Sequence, residues 1–422
     1  MILKMRVVHI STTDLGGAYE AAQRISDSLQ SIGEESMVLV RSKLRESTVA
    51  VSYFNNIFPK LASKTKNFLN LLLSDGEVIF DKYGTDICKH PLVKNADVIC
   101  LHWVNSFVSV SEVSRILMLG KPVFWIMHDM WPFTGGCHYA GDCMQYKEQC
   151  QSCSMVNKTK KNAVVYWQIK KKEHFKQENL YPVGPSRWIS ECAQKSQIFG
   201  EKSIVTIPNP IDTDLFYPKS IEERNSIRKK YGLSDDKKTI LFGAAKVTNN
   251  PIKGFSYFTE AVQRLPKEEY QVLVLGESDG EDSLKEKIDL DVVYTGFVNN
   301  SEQLCWIYNA ADLLVAPSLQ ENYSNTVLES LACGIPVVAF DVGGMSDLII
   351  EKNNGYLAEL KDAEDLAEGI EYVAQNKEKM GQSAREGVLQ RNRYSTIGKT
   401  YKDLFEQHLL KEDENEGYKN FF

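Results

Sequence analysis

Strand and helix signals alternate twice along this 422-residue chain, and that rhythm leaves few folds open. Short apolar runs stand at Arg6–Ile10, Met37–Val40, Val98–Leu101, Val123–Met127 and Tyr181–Gly184, with helix-like stretches between them. The first of those stretches, from about Ala18 to Gln30, is amphipathic. Ile207–Pro218 (IPNPIDTDLFYP) then breaks the series, because its prolines and Asn-Pro pair favour extended or turn backbone. The pattern restarts with Thr239–Gly243, Gln271–Gly276, Val292–Thr295, Leu313–Ala316 and Val337–Phe340. Two such series predict an α/β protein of two Rossmann-like, doubly wound domains facing across a cleft. Ligands of such sheets sit beyond the carboxyl ends of the strands, so chemistry is expected in the loops that follow them.

The most informative of those loops begins ENYSNTVLESLACGIPVVAFDVGG, residues 321–344. Glu321 and Glu329 lie eight positions apart, and Ser324-Asn325-Thr326 open a helix between them. Gly334-Ile335-Pro336 stop that helix, and a buried strand then runs into Asp341 and Gly343-Gly344. Unpaired N–H groups and the dipole at a helix start favour a phosphate. Carboxylates beside it suit sugar hydroxyls, so a nucleotide sugar fits the pattern.

The segment resembles the E-x7-E signature of retaining GT-B glycosyltransferases of family 4. The resemblance implies transfer of a sugar from a nucleoside-diphosphate donor with retention at the anomeric carbon, a hexosyltransferase-type reaction. It implies Glu321 on the sugar hydroxyls, Glu329 on the ribose, and Asn322, Ser324, Asn325 and Thr326 lining the donor. It also implies a cationic clamp on the diphosphate, which Lys253-Gly254 matches. An arginine expected just after the strand Thr239–Gly243 is replaced by Ala245, with Lys246 one residue on. Gly296, Phe297 and Val298 fall where similar proteins hold the base. In the first half, Gly16 and Gly17 follow the first strand, where the resembled loop closes on the donor. His128 of FWIMHDMWPFTGG matches a histidine that contacts the transferred sugar. His102, Trp103, Asp129 and Trp131 are expected along the acceptor side of the cleft. The final helix, about Ile397 to Leu410, is implied to cross back to the N-terminal domain. The domains are then read as 1–206, a 207–218 linker, 219–393, and 394–422 returning to the first.

No Asp-x-Asp pattern marks a metal-dependent transferase, and no catalytic metal is expected. A different metal is indicated by GCHYAGDCMQYKEQCQSC, in an insertion at 135–155. Cys137, Cys143, Cys150 and Cys153, closing on C-x2-C, suit a structural zinc or iron ion, with His138 a substitute ligand. The insertion is similar to one in a subgroup of bacterial polysaccharide glycosyltransferases with HDMW and TGGCHY.

Composition fits a globular protein of 25% charged and 43% hydrophobic residues. Nothing reads as a signal peptide or membrane span, which predicts a cytoplasmic location with reduced cysteines. The net charge of −7 divides unevenly: residues 1–205 hold 25 Lys and Arg against 19 acids, and the remainder 24 against 37. Basic residues collect in Lys158–Lys176, and more weakly in Phe58–Leu73, interleaved with apolar ones. Either segment reads as an interfacial helix on an anionic membrane or as a solvated face over a core helix. No nucleic-acid recognition motif is present. A lipid-linked or glycan acceptor, as in capsule, exopolysaccharide or other bacterial surface polysaccharide synthesis, is the implied context. Two alternatives stay open: an epimerase on the same fold, and a non-catalytic nucleotide-sugar-binding assembly partner.

Overall fold

A computed structural model describes residues 4–45, 50–54, 57–243, 251–276, 287–296, 298 and 300–419, apart from the side chains of 57–62 and 411–419. The chain divides into two compact units, residues 1–210 with 394–422, and residues 211–393.

The first unit is built on a sheet of seven strands: β1 (Arg6–Thr13), β2 (Glu35–Ser42), β3 (Ala50–Ser52), β4 (Val98–Leu101), β5 (Val123–Ile126), β6 (Leu180–Gly184) and β7 (Val205–Thr206). All neighbours are parallel, in the order β3-β2-β1-β4-β5-β6-β7. The order reverses between β1 and β4, so their carboxyl ends diverge into a crevice. β1 runs three residues beyond its apolar core because Ser11 and Thr13 keep pairing, opposite Val40 and Ser42. The helix Tyr394–Lys419 belongs to this unit and packs on the helix Gly17–Ser31. Tyr401 and Phe405 enter a core with Ile25, Leu29 and Phe124, and Lys402 pairs with the buried Glu34.

The second unit has six parallel strands: β8 (Lys238–Gly243), β9 (Tyr270–Leu275), β10 (Asp291–Tyr294), β11 (Leu313–Ala316), β12 (Val337–Phe340) and β13 (Gly355–Ala358). Their order, β10-β9-β8-β11-β12-β13, reverses between β8 and β11. The central strands are apolar on both faces and flanked by two separate clusters of buried side chains. The β3, β7 and β13 segments carry no apolar run long enough to announce them; register against a longer neighbour makes them strands.

Both basic segments are helical, and they differ. In the helix Lys161–His174 the buried positions are Val164, Gln168 and Lys171, so the lysine run contains a core residue. The helix Ile57–Leu73 instead exposes Phe68, Leu69, Leu71, Leu72 and Leu73. No helix among the described residues is long and apolar enough to cross a membrane.

Candidate active site

In the second unit the reversal point brings together Lys253 and Glu321, two residues singled out separately from the sequence. β8 leads into 244–250, a stretch that contains Lys246 and lies outside the described residues. The chain re-enters as a single turn of 3-10 helix at Pro251–Lys253. Gly254 follows with φ +68°, and a β-carbon there would stand 1.8 Å from the Pro317 carbonyl oxygen. Only glycine lets that turn lie against the loop after β11, where Leu319 N–H also bonds the Ile252 carbonyl at 2.7 Å. This contact aims Lys253 at Glu321: Nζ lies 3.1 Å from Oε2. Glu321 Oε1 accepts the N–H of Asn322 at 3.2 Å.

The helix Asn325–Ala332 starts as expected, with Ser324 Oγ capping Val327 N–H. Asn325 and Thr326 are half-buried on its first turn, and Asn322 is buried behind them. Glu329 is more enclosed than the spacing suggests, at 8% exposure, and its Oε2 accepts the Tyr308 hydroxyl at 2.8 Å. Gly343 closes the site from β12. Its φ is +58°, and a β-carbon would meet the Glu321 carbonyl oxygen at 1.9 Å. The same carbonyl accepts Gly344 N–H at 3.2 Å. Val298 is half-buried at the edge of the core, and Phe297 lies outside the described residues.

In the first unit the reversal point gathers histidines. Thr12 ties the end of β1 to the loop after β4 through Trp103 and Asn105 carbonyls, at 3.1 and 2.7 Å. Asp14 is fully buried, and its carboxylate accepts the N–H groups of Leu44 and Arg45. Gly16, at φ +87°, turns the chain into its helix at Gly17. His9 within β1, and His102 and His128 just after the neighbouring β4 and β5, form one chain. His9 Nδ1 lies 2.9 Å from His102 Nε2, and His102 Nδ1 lies 2.8 Å from His128 Nε2. Only His128 of the three is partly exposed. Burial drives His9 down to about 3 and His128 to about 4, and pushes His102 well below its ordinary range. All three rings are therefore neutral at pH 7, and their tautomers are one shared choice.

Two expectations for the acceptor side are corrected here. His102 is buried between its two neighbours and reaches the surface only through His128. Trp131 is 1% exposed, its indole N–H bonds the Ile79 carbonyl at 3.0 Å, and it forms core rather than wall. Trp103 remains half-buried near His138. Asp129 is committed within its own loop, accepting Trp131 N–H at 2.8 Å and His138 Nδ1 at 2.6 Å. Burial opposes its ionisation, but His138 and that N–H outweigh burial and hold its carboxyl below the usual range.

Solved structures align with nearly the whole chain. Sucrose-phosphate synthase from Thermosynechococcus elongatus covers 96% of this chain and 99% of its own, with a TM-score of 0.67 at 17% identity. Anabaena HepE in complex with UDP-glucose covers 96% and 100%, with a TM-score of 0.66 at 15% identity. The fold is that of the GT-B glycosyltransferases. Residues 237–376 match the family of glycosyl transferases group 1. An uncharacterized glycosyltransferase of Methanocaldococcus jannaschii is 30% identical over 200 residues, covering 45% of this chain and 50% of that relative. The chain spans about half the length of the curated relatives it matches.

The matched stretch contains Lys253, Glu321, Glu329 and Tyr308, so the acid–base cluster sits inside the group 1 region of this GT-B chain. Sequence reasoning missed Tyr308 and His9. His9 had a signal, a histidine inside the apolar stretch Val7–Ile10; Tyr308 had none, since it is one of two aromatics on its helix. The four cysteines of the insertion come together around one small cavity of about 20 Å³. None is in a disulfide. Among the described residues no group of three or more His, Cys, Asp or Glu side chains is placed so as to hold a metal ion.

Proposed function

We propose that this protein is a retaining glycosyltransferase that moves a sugar from a nucleoside-diphosphate donor to a glycan or lipid-linked acceptor. The observation that carries the reading is the Lys253–Glu321 pair beside the capped start of the helix Asn325–Ala332. A partly exposed ion pair is worth only about 0–1 kcal/mol, so Lys253 exchanges Glu321 for a diphosphate at little cost. The exchange frees Glu321 to accept sugar hydroxyls. The cation and the N–H groups of the helix start then stabilise the leaving diphosphate as charge develops on it. Glu329, oriented by Tyr308, takes the ribose hydroxyls, and His128 contacts the sugar. Anabaena HepE with UDP-glucose makes a uridine donor the first to try.

A lipid-linked acceptor, in surface polysaccharide synthesis at the inner face of the cell membrane, is supported by the helix Ile57–Leu73. Phe68, Leu71 and Leu72 are 59%, 68% and 60% exposed, beside exposed Lys64 and Lys66. Apolar side chains flanked by lysines suit an anionic interface.

The test is a panel of UDP-, GDP- and other NDP-sugars, followed by calorimetry and kinetics on two variants. Glu321→Ala should lose turnover more than affinity for free nucleoside diphosphate, and Glu329→Ala the reverse. Equal affinity loss in both would remove the role assignment. Binding without turnover on any donor would make the chain a binding partner instead, and donor consumed without transfer would point to an epimerase.

A further inference from the structure

Lys171 is a buried lysine of the first unit that the proposed reaction leaves unused. It sits in the helix Lys161–His174 at 1% exposure. Its ammonium donates to the carbonyls of Trp131 and Thr134 and lies 3.5 Å from the centre of the Trp131 ring. No ion pair to a carboxylate is made by this buried cation among the described residues, although buried charges are ordinarily paired. Burial pulls its pKa down to about 7, opposed first by Cys137 and then by the buried carboxylates of Asp81 and Asp129 and by Cys150.

Those cysteines belong to the insertion that the proposed reaction leaves unused. Cys137, Cys143, Cys150 and Cys153 line the same cavity of about 20 Å³, whose other walls include Val78, Tyr146 and Val164. A space that size holds a single small guest, since about 10–15 Å³ suffices for one water. No carboxylate lines it. The loop is also held in place from outside. Cys150 N–H donates to the buried Gln168 at 2.8 Å, and Thr134 Oγ1 donates to the Cys137 carbonyl at 2.7 Å. Gln168 and Lys171 are neighbours on one buried face of the helix, so the element that carries the cation also fixes the thiols.

We propose that the four cysteines bind one zinc ion and that Lys171 is its buried charge partner. Four thiolates on Zn²⁺ carry a net charge of about −2, which the ammonium offsets in part where water cannot. Binding breaks four S–H bonds, releases their protons to solvent and changes no oxidation state. The thiols draw in to about 2.3 Å from the metal, which the small cavity allows. With no open coordination position the ion is structural. Its role is to lock the loop that follows His128 and Asp129.

The whole chain, purified without chelator, should hold about one zinc per molecule, released when the thiols are blocked by a mercurial. Cobalt substitution should give the thiolate charge-transfer and tetrahedral ligand-field bands. Cys143→Ser and Cys150→Ser should each lose the zinc. Lys171→Met should keep the ligands but weaken zinc affinity roughly 10- to 100-fold, as removal of a metal's outer partners does. Folded protein refolded with excess zinc that keeps four titratable thiols and no metal would overturn the proposal, as would iron in its place. Unchanged zinc affinity in Lys171→Met would remove the lysine from it. If that variant does not fold, the zinc content of Cys143→Ser and of the parent protein still decides the site.

Discussion

Gly343→Ala isolates how far the Glu321 loop depends on the glycine turn after β12. Two costs follow from the structure. At φ +58° a β-carbon brings the left-handed penalty of about 1–2 kcal/mol. In addition that carbon stands 1.9 Å from the Glu321 carbonyl oxygen and 3.1 Å from its carbon, so backbone must retreat by about 1.5 Å to reach ordinary contact. The carbonyl is held by Gly344 N–H and cannot yield alone; the residue that carries the carboxylate moves with it. A misplacement of about 1 Å at a reacting group costs on the order of 10²-fold in rate. Gly334→Ala is the matched control, with φ +70° but only a 3.2 Å contact to Pro218 Cγ and no contact with Glu321. Both variants should lose about 1–2 kcal/mol or somewhat more by thermal unfolding. Only Gly343→Ala should also lose roughly 100-fold in kcat/KM on the best donor of the panel. Parent-like turnover in Gly343→Ala, or equal turnover losses in the two variants, would refute the reasoning.

Two further predictions follow from buried titratable groups. Asp312, 4% exposed at the start of β11, binds Arg224 at 2.7 Å, Arg228 at 3.4 Å and Lys377, and accepts Thr239 N–H at 2.7 Å. Asp312→Asn should cost about 3–5 kcal/mol by urea unfolding, because it strands three cations. Burial raises the Asp312 pKa, but Arg224 and Lys377 outweigh it and hold the carboxyl below its ordinary value. Its contribution is thus complete above about pH 4 and lost as pH falls through the lower folded value, so the variant's deficit should shrink in strong acid. In the histidine chain, His9 Nε2 is buried with no hydrogen-bond partner. Orphaned buried N–H groups are rare, so that nitrogen should be bare, with Nδ1–H groups donating along the chain and His128 protonated on Nδ1. Nitrogen NMR of the imidazoles should find this at pH 7; His128 protonated on Nε2 would reverse the chain. The three depressed values mean that the folded state takes up fewer protons than the unfolded one below about pH 6.5, so stability should fall as pH drops from there.

What the sequence disclosed and what it hid divide by range. The central strands are apolar on both faces, so β4, β11 and β12 could be bounded to the residue, and the cap at Ser324 is a local hydrogen bond that its own residue type announces. The position of Glu321 was legible for the same reason: a capped helix start lies within a few residues of it. Its partner was not, because the Lys253–Glu321 contact spans 68 residues and depends on Gly254 meeting Pro317. Tyr308 reaches Glu329 across 21 residues, and the histidine chain joins residues 93 and 26 positions apart on three neighbouring strands and their loops. No window along the chain contains either.

Lys171 shows a different kind of concealment. Val164, Gln168 and Lys171 keep the helical spacing of a buried face, yet a hydropathy pattern reads only the first as core. Periodicity records which direction a side chain takes, and polarity records what it prefers in water; burial follows direction when a specific partner offsets the preference. The carbonyls of Trp131 and Thr134 and the face of the Trp131 ring supply such partners here. The basic segment, read as an interfacial helix or a solvated face, gives up one of its central lysines to the interior while exposing Tyr166 and Ile169; the longer run of exposed apolar residues lies on the helix Ile57–Leu73. Replacing Lys170, Lys171 and Lys172 together would therefore confound a surface effect with a core one. Leu71→Gln with Leu72→Gln leaves the buried Asn70 and Ser74 positions untouched, and so measures the interface alone.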